Sequence, residues 1–198
     1  MSRSERKQQT RQRILDAAGR GFRKAGFGGI GVDGLAKEAG VTSGAFYAHF
    51  DSKAAAFRES VAQGMAELKV GVRHFQGQHG HTWWPEFVCF YLGEKRKCEL
   101  SESCALQSLA SEISRSDPTS RAEFEAELLN VAALIVAGPT SEHAPADIGE
   151  AMFALSTLVG AVTLARAVAD PAVAEKIAAA AEQTLLSGNR YRDSRELA

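Results

Sequence analysis

The stretch from Val32 to Phe50, VDGLAKEAGVTSGAFYAHF, leaves the backbone few choices. Val32, Leu35, Ala36 and Ala39 recur at helical spacing. Gly40 suits the left-handed residue just past a helix end, and Thr42 can cap a second helix through its hydroxyl. Val41, Ala45 and Phe46 then face back toward the first helix. Two short helices joined by a brief turn containing Gly form the helix-turn-helix pattern, whose second helix can lie in a DNA major groove.

The second helix carries few charges. Thr42, Ser43, Gly44, Tyr47 and His49 offer small hydroxyls, bare backbone and two longer polar tips, which suit close approach to phosphates and base edges. Ordinary helical corners share this geometry, so the neighbouring residues decide its meaning. The run Thr10 to Ala18, Phe22, Gly26-Phe27, Leu35-Ala36, Ala39-Gly40-Val41 and Phe46 to Lys53 resembles, in order and spacing, the TetR family of bacterial repressors. The resemblance is strong over roughly the first 58 residues; beyond them it rests on length, helical character and the form of the last two helices.

That resemblance implies an all-α protein: a three-helix DNA-binding domain over residues 1–51 and a helical ligand-binding and dimerisation domain over 52–198. Chemistry and resemblance together assign roles to the first domain. Thr42, Ser43 and Gly44 open the recognition helix and approach DNA, Tyr47 and His49 hold phosphate or base edges, and Thr10 adds a backbone contact. Lys53, in the first turn of the next helix, clamps a phosphate; the alternative is a solvated Lys at a helix end. The family often has Ser or Thr near Gly31, where a hydroxyl caps the second helix and touches a phosphate. Gly31 tolerates the cap but cannot donate that contact.

Charge is divided as such a chain requires. Residues 1–58 hold 11 Lys/Arg against 5 Asp/Glu, whereas the remainder holds 12 against 19, so a basic N-terminal part precedes an acidic body. The three cysteines, Cys89, Cys98 and Cys104, show no C-x-x-C spacing, which argues against a disulfide framework or structural zinc and for a reducing cytoplasm. The basic N-terminus is followed by no apolar segment of the secretory kind. The weakly polar run 151–165 is too short to span a bilayer and reads as a buried helix, so no membrane partner is expected.

Along the chain, a first helix is expected over 4–25, with Ile14, Ala18, Phe22 and Ala25 on one face and Leu15 beside them. The segment holding Arg3, Arg6, Lys7 and Arg11 reads as an arm that reaches phosphates or a minor groove, or as a frayed terminus. Gly26 to Gly31 matches the G-x-G-x-x-G of dinucleotide sites, but that fingerprint needs a strand before it and a long helix after it. A helix precedes it here and a very short one follows, so the glycines read as a tight turn. Further helices are expected over 52–75, 83–97, 104–113, 120–137, 146–169 and 171–187, with loops at 76–82 and 140–145 and a frayed tail over 189–198. His74, His79 and His81 cluster around the first loop, yet H-x-H on a loop lacks the rigid spacing of a metal site, and none is expected.

Trp84, Phe87, Phe90 and Tyr91 give the 83–97 helix a large apolar side, which fits packed core or a small-molecule pocket. The resemblance places the ligand cavity here, with Cys104 near it. Cys98 and Cys104 flank a helix start close to Lys95, Arg96 and Lys97, a setting in which a thiol can be activated; inert burial is the alternative. Met152, Leu155, Val159 and Val162, with Ile177, Ala181 and Thr184, present more apolar surface than one small domain needs. In the resembling family the last two helices pair with their twins in a dimer; an intramolecular hairpin is the alternative.

The leading expectation is therefore a homodimeric repressor that binds a palindromic operator in double-stranded DNA and answers to a small-molecule effector, without cofactor or catalysis. Two alternatives stand beside it: a thiol-based redox or electrophile sensor using Cys98 or Cys104, and a nucleotide-dependent enzyme using Gly26 to Gly31.

Overall fold

Caps and glycines mark the helix boundaries. The computed structural model describes residues 2–187; the tail over 189–198 lies outside the described residues. Every regular element among the described residues is helical: α1 (Arg3–Gly29), α2 (Val32–Glu38), α3 (Ser43–Tyr47), α4 (Lys53–His79), α5 (Trp83–Leu92), α6 (Glu94–Lys97), α7 (Ala105–Ile113), α8 (Pro118–Val136), α9 (Ile148–Ala167) and α10 (Pro171–Leu186). Single 3-10 turns occupy Gly80–Thr82 and Leu100–Glu102. The chain packs as two compact units, one drawn from Met1–Lys69 and Cys98–Val131, the other from Val70–Lys97 and Ala132–Ala198.

In the first unit, the basic segment expected as an arm or a frayed end is regular helix from Arg3 onward. A capping box explains it: Ser2 Oγ accepts the Glu5 N–H at 3.1 Å and the Glu5 carboxylate accepts the Ser2 N–H at 2.7 Å. The helix is interrupted where the sequence expects its end. Gly26 takes φ +73°, a value that favours glycine, and a β-carbon there would stand 2.9 Å from the Glu112 carboxylate.

Ile14, Ala17, Ala18 and Phe22 of α1 are buried with Leu35, Ala36, Phe46, Phe50, Phe57, Val61 and Met65. Ala25, expected on the same face, is exposed. Phe57 meets Phe22 and Phe27 edge-on, both at 5.1 Å between ring centres. Burying each such ring contributes roughly 2 kcal/mol, and truncating one to Ala costs about 3–5 kcal/mol once the cavity is counted. Against the other side of α1 lie the Leu100–Glu102 turn and α7, which buries Ala105, Leu106, Leu109 and Ile113.

The second unit begins within α4, which runs a turn beyond the expected stop at 75. Gln76 Nε2 donates to the Leu134 carbonyl at 3.0 Å and Phe75 stacks on His79 at 5.3 Å, so residues expected in a loop stay helical until Gly80, at φ +52°, ends the helix. The helix expected over 83–97 is instead α5 and α6. Gly93 separates them, and a β-carbon there would lie 2.7 Å from the Cys89 carbonyl.

α9 and α10 begin at the side-chain caps Asp147 and Asp170, with Pro171 pre-set at the first position of α10. α9 is long and apolar enough, by length and composition, to cross a membrane. In the structure it packs on α5, α6 and α10, burying Ala151, Ala154, Leu155, Leu158, Ala161, Val162 and Ala165.

Candidate functional site

The turn before α3 is held by main-chain bonds. Ala39 closes α2, Gly40 follows at φ +66°, its N–H reaches the Lys37 carbonyl at 3.1 Å, and the Val41 N–H reaches the Ala36 carbonyl at 2.9 Å. This is a Schellman end, which satisfies carbonyls the helix would otherwise leave open. Thr42 then caps α3, its Oγ1 accepting the Ala45 N–H at 3.1 Å. Phe46 is fully buried and stands 5.6 Å from Phe50, so the inner side of this five-residue helix is anchored in the core.

The outer side carries the expected reading residues. Tyr47 is 56% exposed, its ring edge-on to Phe46, and Thr42 and Gly44 are exposed as well. A β-carbon at Gly44 would meet only Thr42 Oγ1, at 3.9 Å. Internal packing therefore does not demand glycine, although glycine in a helix costs about 1 kcal/mol relative to alanine. Ser43 is half-buried and donates its hydroxyl to Asp33 of α2, and Thr10 donates to the Arg6 carbonyl within α1 at 2.9 Å.

His49 is half-buried, and its Nδ1 has no hydrogen-bond partner. Burial, then the positive charges of Lys7 and Arg11, hold its pKa below the ordinary histidine value. Those charges also show that Lys7 of α1 lies in the electrostatic neighbourhood of α3's far end. Lys53 opens α4 with its ammonium 4.4 Å from the centre of the Phe27 ring, a cation–π contact. Arg11, read from sequence as part of a free basic arm, is committed inside the module to Phe50 and Glu59. No local pattern predicts that pairing, because its partners lie far along the chain.

Gly26 to Gly31 runs from the interruption of α1 at Gly26 through its last residues to Gly31, the N-cap of the seven-residue α2, with no side-chain hydrogen bond at that cap. A strand and a long helix, the context a dinucleotide fingerprint requires, are not what flanks it. Among the described residues no group of three His, Cys, Asp or Glu side chains is arranged to hold a metal.

In the second unit, Trp84, Phe87 and Tyr91 are buried and Phe90 is 36% exposed. Phe75 and His79 of α4 join them, Phe75 lying 5.6 Å from Phe87 and 5.2 Å from Phe90. Sequence spacing does not reveal either contact, because it ends the helix at Phe75. Cys104, buried as the N-cap of α7, belongs to the first unit, as does the half-buried Cys98. Cys89 is exposed; burial of its sulfur and then the Glu182 carboxylate, 3.5 Å away, push its thiol pKa up.

The residues expected at a dimer interface divide. Leu155, Val162 and Ala181 are buried inside their own unit, Met152, Val159 and Ile177 are half-buried, and Thr184 is exposed. α9 buries Ala151, Ala154, Ala161 and Ala165 beside Leu155, Leu158 and Val162, α10 buries Ala174, Ala178, Ala181 and Leu185, and Phe153, Thr163 and Leu164 of α9 are exposed.

Residues 14–60 match the model of the bacterial regulatory proteins of the tetR family. No curated protein matches the chain. Among solved structures, the chain is similar to a TetR-family transcriptional regulator from Agrobacterium tumefaciens, with 18% identity, 90% of this chain and 98% of that one covered, and a TM-score of 0.72. It is similar to the reduced form of E. coli NemR, with 18% identity, 90% and 96% covered, and a TM-score of 0.72. A TetR-family regulator from Cytophaga hutchinsonii shows 21% identity, 95% and 96% covered, and a TM-score of 0.70. These likenesses establish the fold. The chain thus joins an N-terminal module that matches the tetR-family model to a fold that it shares along its length with these regulators.

Proposed function

We propose that the protein is a cytoplasmic repressor, not an enzyme, that binds a palindromic operator as a homodimer and is switched by a small effector held by the helices after residue 52. Thr42, Ser43, Gly44, Tyr47 and His49 meet the DNA, Lys53 takes a phosphate, and Thr10 adds a backbone contact. The observation that carries this reading is the two-sided construction of α3: Phe46 wholly buried, Tyr47 beside it 56% exposed, and a glycine at Gly44 that the fold itself does not need.

A dimer places two such helices one helical turn of DNA apart, so its operator is a roughly palindromic pair of half-sites. The effector acts by its differential affinity for dimers whose readers are spaced to match, or not to match, successive grooves. Phe153, Val159, Leu164 and Ile177 supply the apolar surface between protomers, and the aromatic side of α5 supplies the effector site.

Selection from random double-stranded DNA at moderate salt tests the reading, with a Tyr47→Ala, Lys53→Ala protein as the control. A palindrome enriched by the native chain alone is expected. Equal enrichment by the double variant removes the residue assignment, and the absence of any enriched sequence from a folded dimer removes the operator reading.

A further inference from the structure

The aromatic cluster of the second unit constrains the chemistry of its effector. Phe87 is the hub: it lies 5.6 Å from Phe75, 5.9 Å from Trp84, stacked, and 5.8 Å from Tyr91. Within this cluster Trp84 is only 1% exposed, and its indole Nε1–H has no hydrogen-bond partner. Its neighbour Trp83, equally buried, gives its own indole N–H to the Pro139 carbonyl at 2.9 Å. The same helix turn therefore satisfies one indole and leaves the other's donor to be met by something else. Buried donors in native proteins are met, because an unpaired one keeps the full cost of losing water.

The ring contacts around Trp84 and Phe87 are made by Phe, Tyr and Trp, with the imidazoles of His74 and His79 reached only through Phe75. Glu86 of α5 is exposed, and Glu182 is engaged with Cys89. An ionised ligand buried among these rings would lose its hydration, and the Phe, Tyr and Trp rings themselves supply no opposite charge to replace it. A flat, uncharged ligand loses little and gains stacking on the rings.

Building on the reading of α5 as the effector site, we propose that the α4–α5 cluster takes an uncharged aromatic effector bearing a carbonyl-type hydrogen-bond acceptor. That acceptor takes the Trp84 Nε1–H while the ligand's ring stacks among Phe75, Phe87 and Tyr91. Phe90, the partly exposed member of the cluster, stands 5.2 Å from Phe75 and forms the edge past which such a ligand enters.

Three bicyclic probes of one shape separate the possibilities: naphthalene without an acceptor, 2-acetylnaphthalene with a neutral one, and 2-naphthoate with an anionic one. Binding to the full chain is measured by equilibrium dialysis, and the Trp84 indole 1H–15N resonance, identified among the two tryptophans with Trp84→Phe, reports the site. 2-Acetylnaphthalene is expected to shift that resonance and to bind about tenfold more tightly than either other probe, the worth of one neutral hydrogen bond. Because loss of an indole can loosen a core, benzothienylalanine at position 84, which keeps the ring and lacks the N–H, serves as the second variant; it should reduce 2-acetylnaphthalene to the affinity of naphthalene. Equal binding of naphthalene and 2-acetylnaphthalene, both shifting Trp84, overturns the acceptor while leaving the α5 site in place. Preference for 2-naphthoate overturns the uncharged class. No shift of Trp84 by any probe at millimolar concentration overturns the inference together with the effector-site reading.

Discussion

The Arg11 guanidinium lies 4.6 Å from the centre of the Phe50 ring, and its Nη2 donates to both carboxylate oxygens of Glu59. One side chain of α1 thereby grips the end of the reader segment and the second turn of α4. It is a brace within the module rather than a cation offered to DNA.

Arg11→Ala is expected to lower stability by about 1 kcal/mol, the sum of a modest cation–π contact and a solvent-screened ion pair. The discount for screening is needed because both partners are about two-fifths exposed, at 40% and 41%. Denaturant unfolding measures the loss. The salt dependence of operator binding should stay unchanged; a slope reduced by about one would make Arg11 a phosphate contact instead.

Gly64 of α4 faces Ala105 of α7 so closely that a β-carbon on it would sit 2.3 Å from the Ala105 β-carbon. Gly64→Ala should cost about 1–3 kcal/mol as the two helices are forced apart. Gly71, further along α4 with nothing within 4 Å of its would-be β-carbon, is the control. Gly71→Ala should be neutral or stabilise by up to about 1 kcal/mol, since alanine is the better helix former. Equal melting temperatures for the two variants would contradict the close approach.

His49 is depressed in pKa by burial first and then by Lys7 and Arg11, so the folded chain favours neutral imidazole. Below the unfolded value of 6.5 the unfolded chain binds the proton more readily than the folded one. The stability contributed by His49 is therefore present above that pH and lost as pH falls through the folded pKa. Lys7→Gln removes one of the opposing charges and should raise the His49 pKa, read from its imidazole resonances across a pH titration. An unmoved titration in Lys7→Gln would exclude the electrostatic contact between α1 and the end of α3.

Leu164 is 59% exposed on α9, whereas Leu155 on the same helix is buried at 4%. If the outward face joins two protomers, Leu164→Glu should yield a folded monomer by sedimentation and circular dichroism, while Leu155→Glu should lose helicity outright. A Leu164→Glu protein that remains dimeric would move the interface elsewhere.

Local chemistry is the part most legible in the sequence. Gly40 past α2, Thr42 before α3 and Asp170-Pro171 before α10 act through neighbours a few residues away, so residue type alone reveals them. Contacts at long range are not legible. The last turn of α4 depends on Gln76 reaching Leu134, 58 residues along the chain. On α9, apolar residues occur on nearly every side, so spacing cannot choose a buried face. The large residues at near-heptad intervals are divided between buried and part-exposed positions: Leu155 and Val162 are buried, whereas Met152 and Val159 are half-buried. The basic N-terminal segment is a plainer case: its charges suggest a loose arm, yet Ser2 and Glu5 form a capping box whose signal stands in the sequence itself.

The turn between α2 and α3 owes its shape to main-chain bonds from Gly40 and Val41 and to one hydroxyl of Thr42. The side chains of Ala45 and Tyr47 make no contribution to that turn's hydrogen bonds. The angle at which the reader is presented is thus insulated from much of what the reader says. On the reading proposed above such a module can be re-addressed: a descendant can exchange exposed residues of α3, acquire a new operator, and keep the turn.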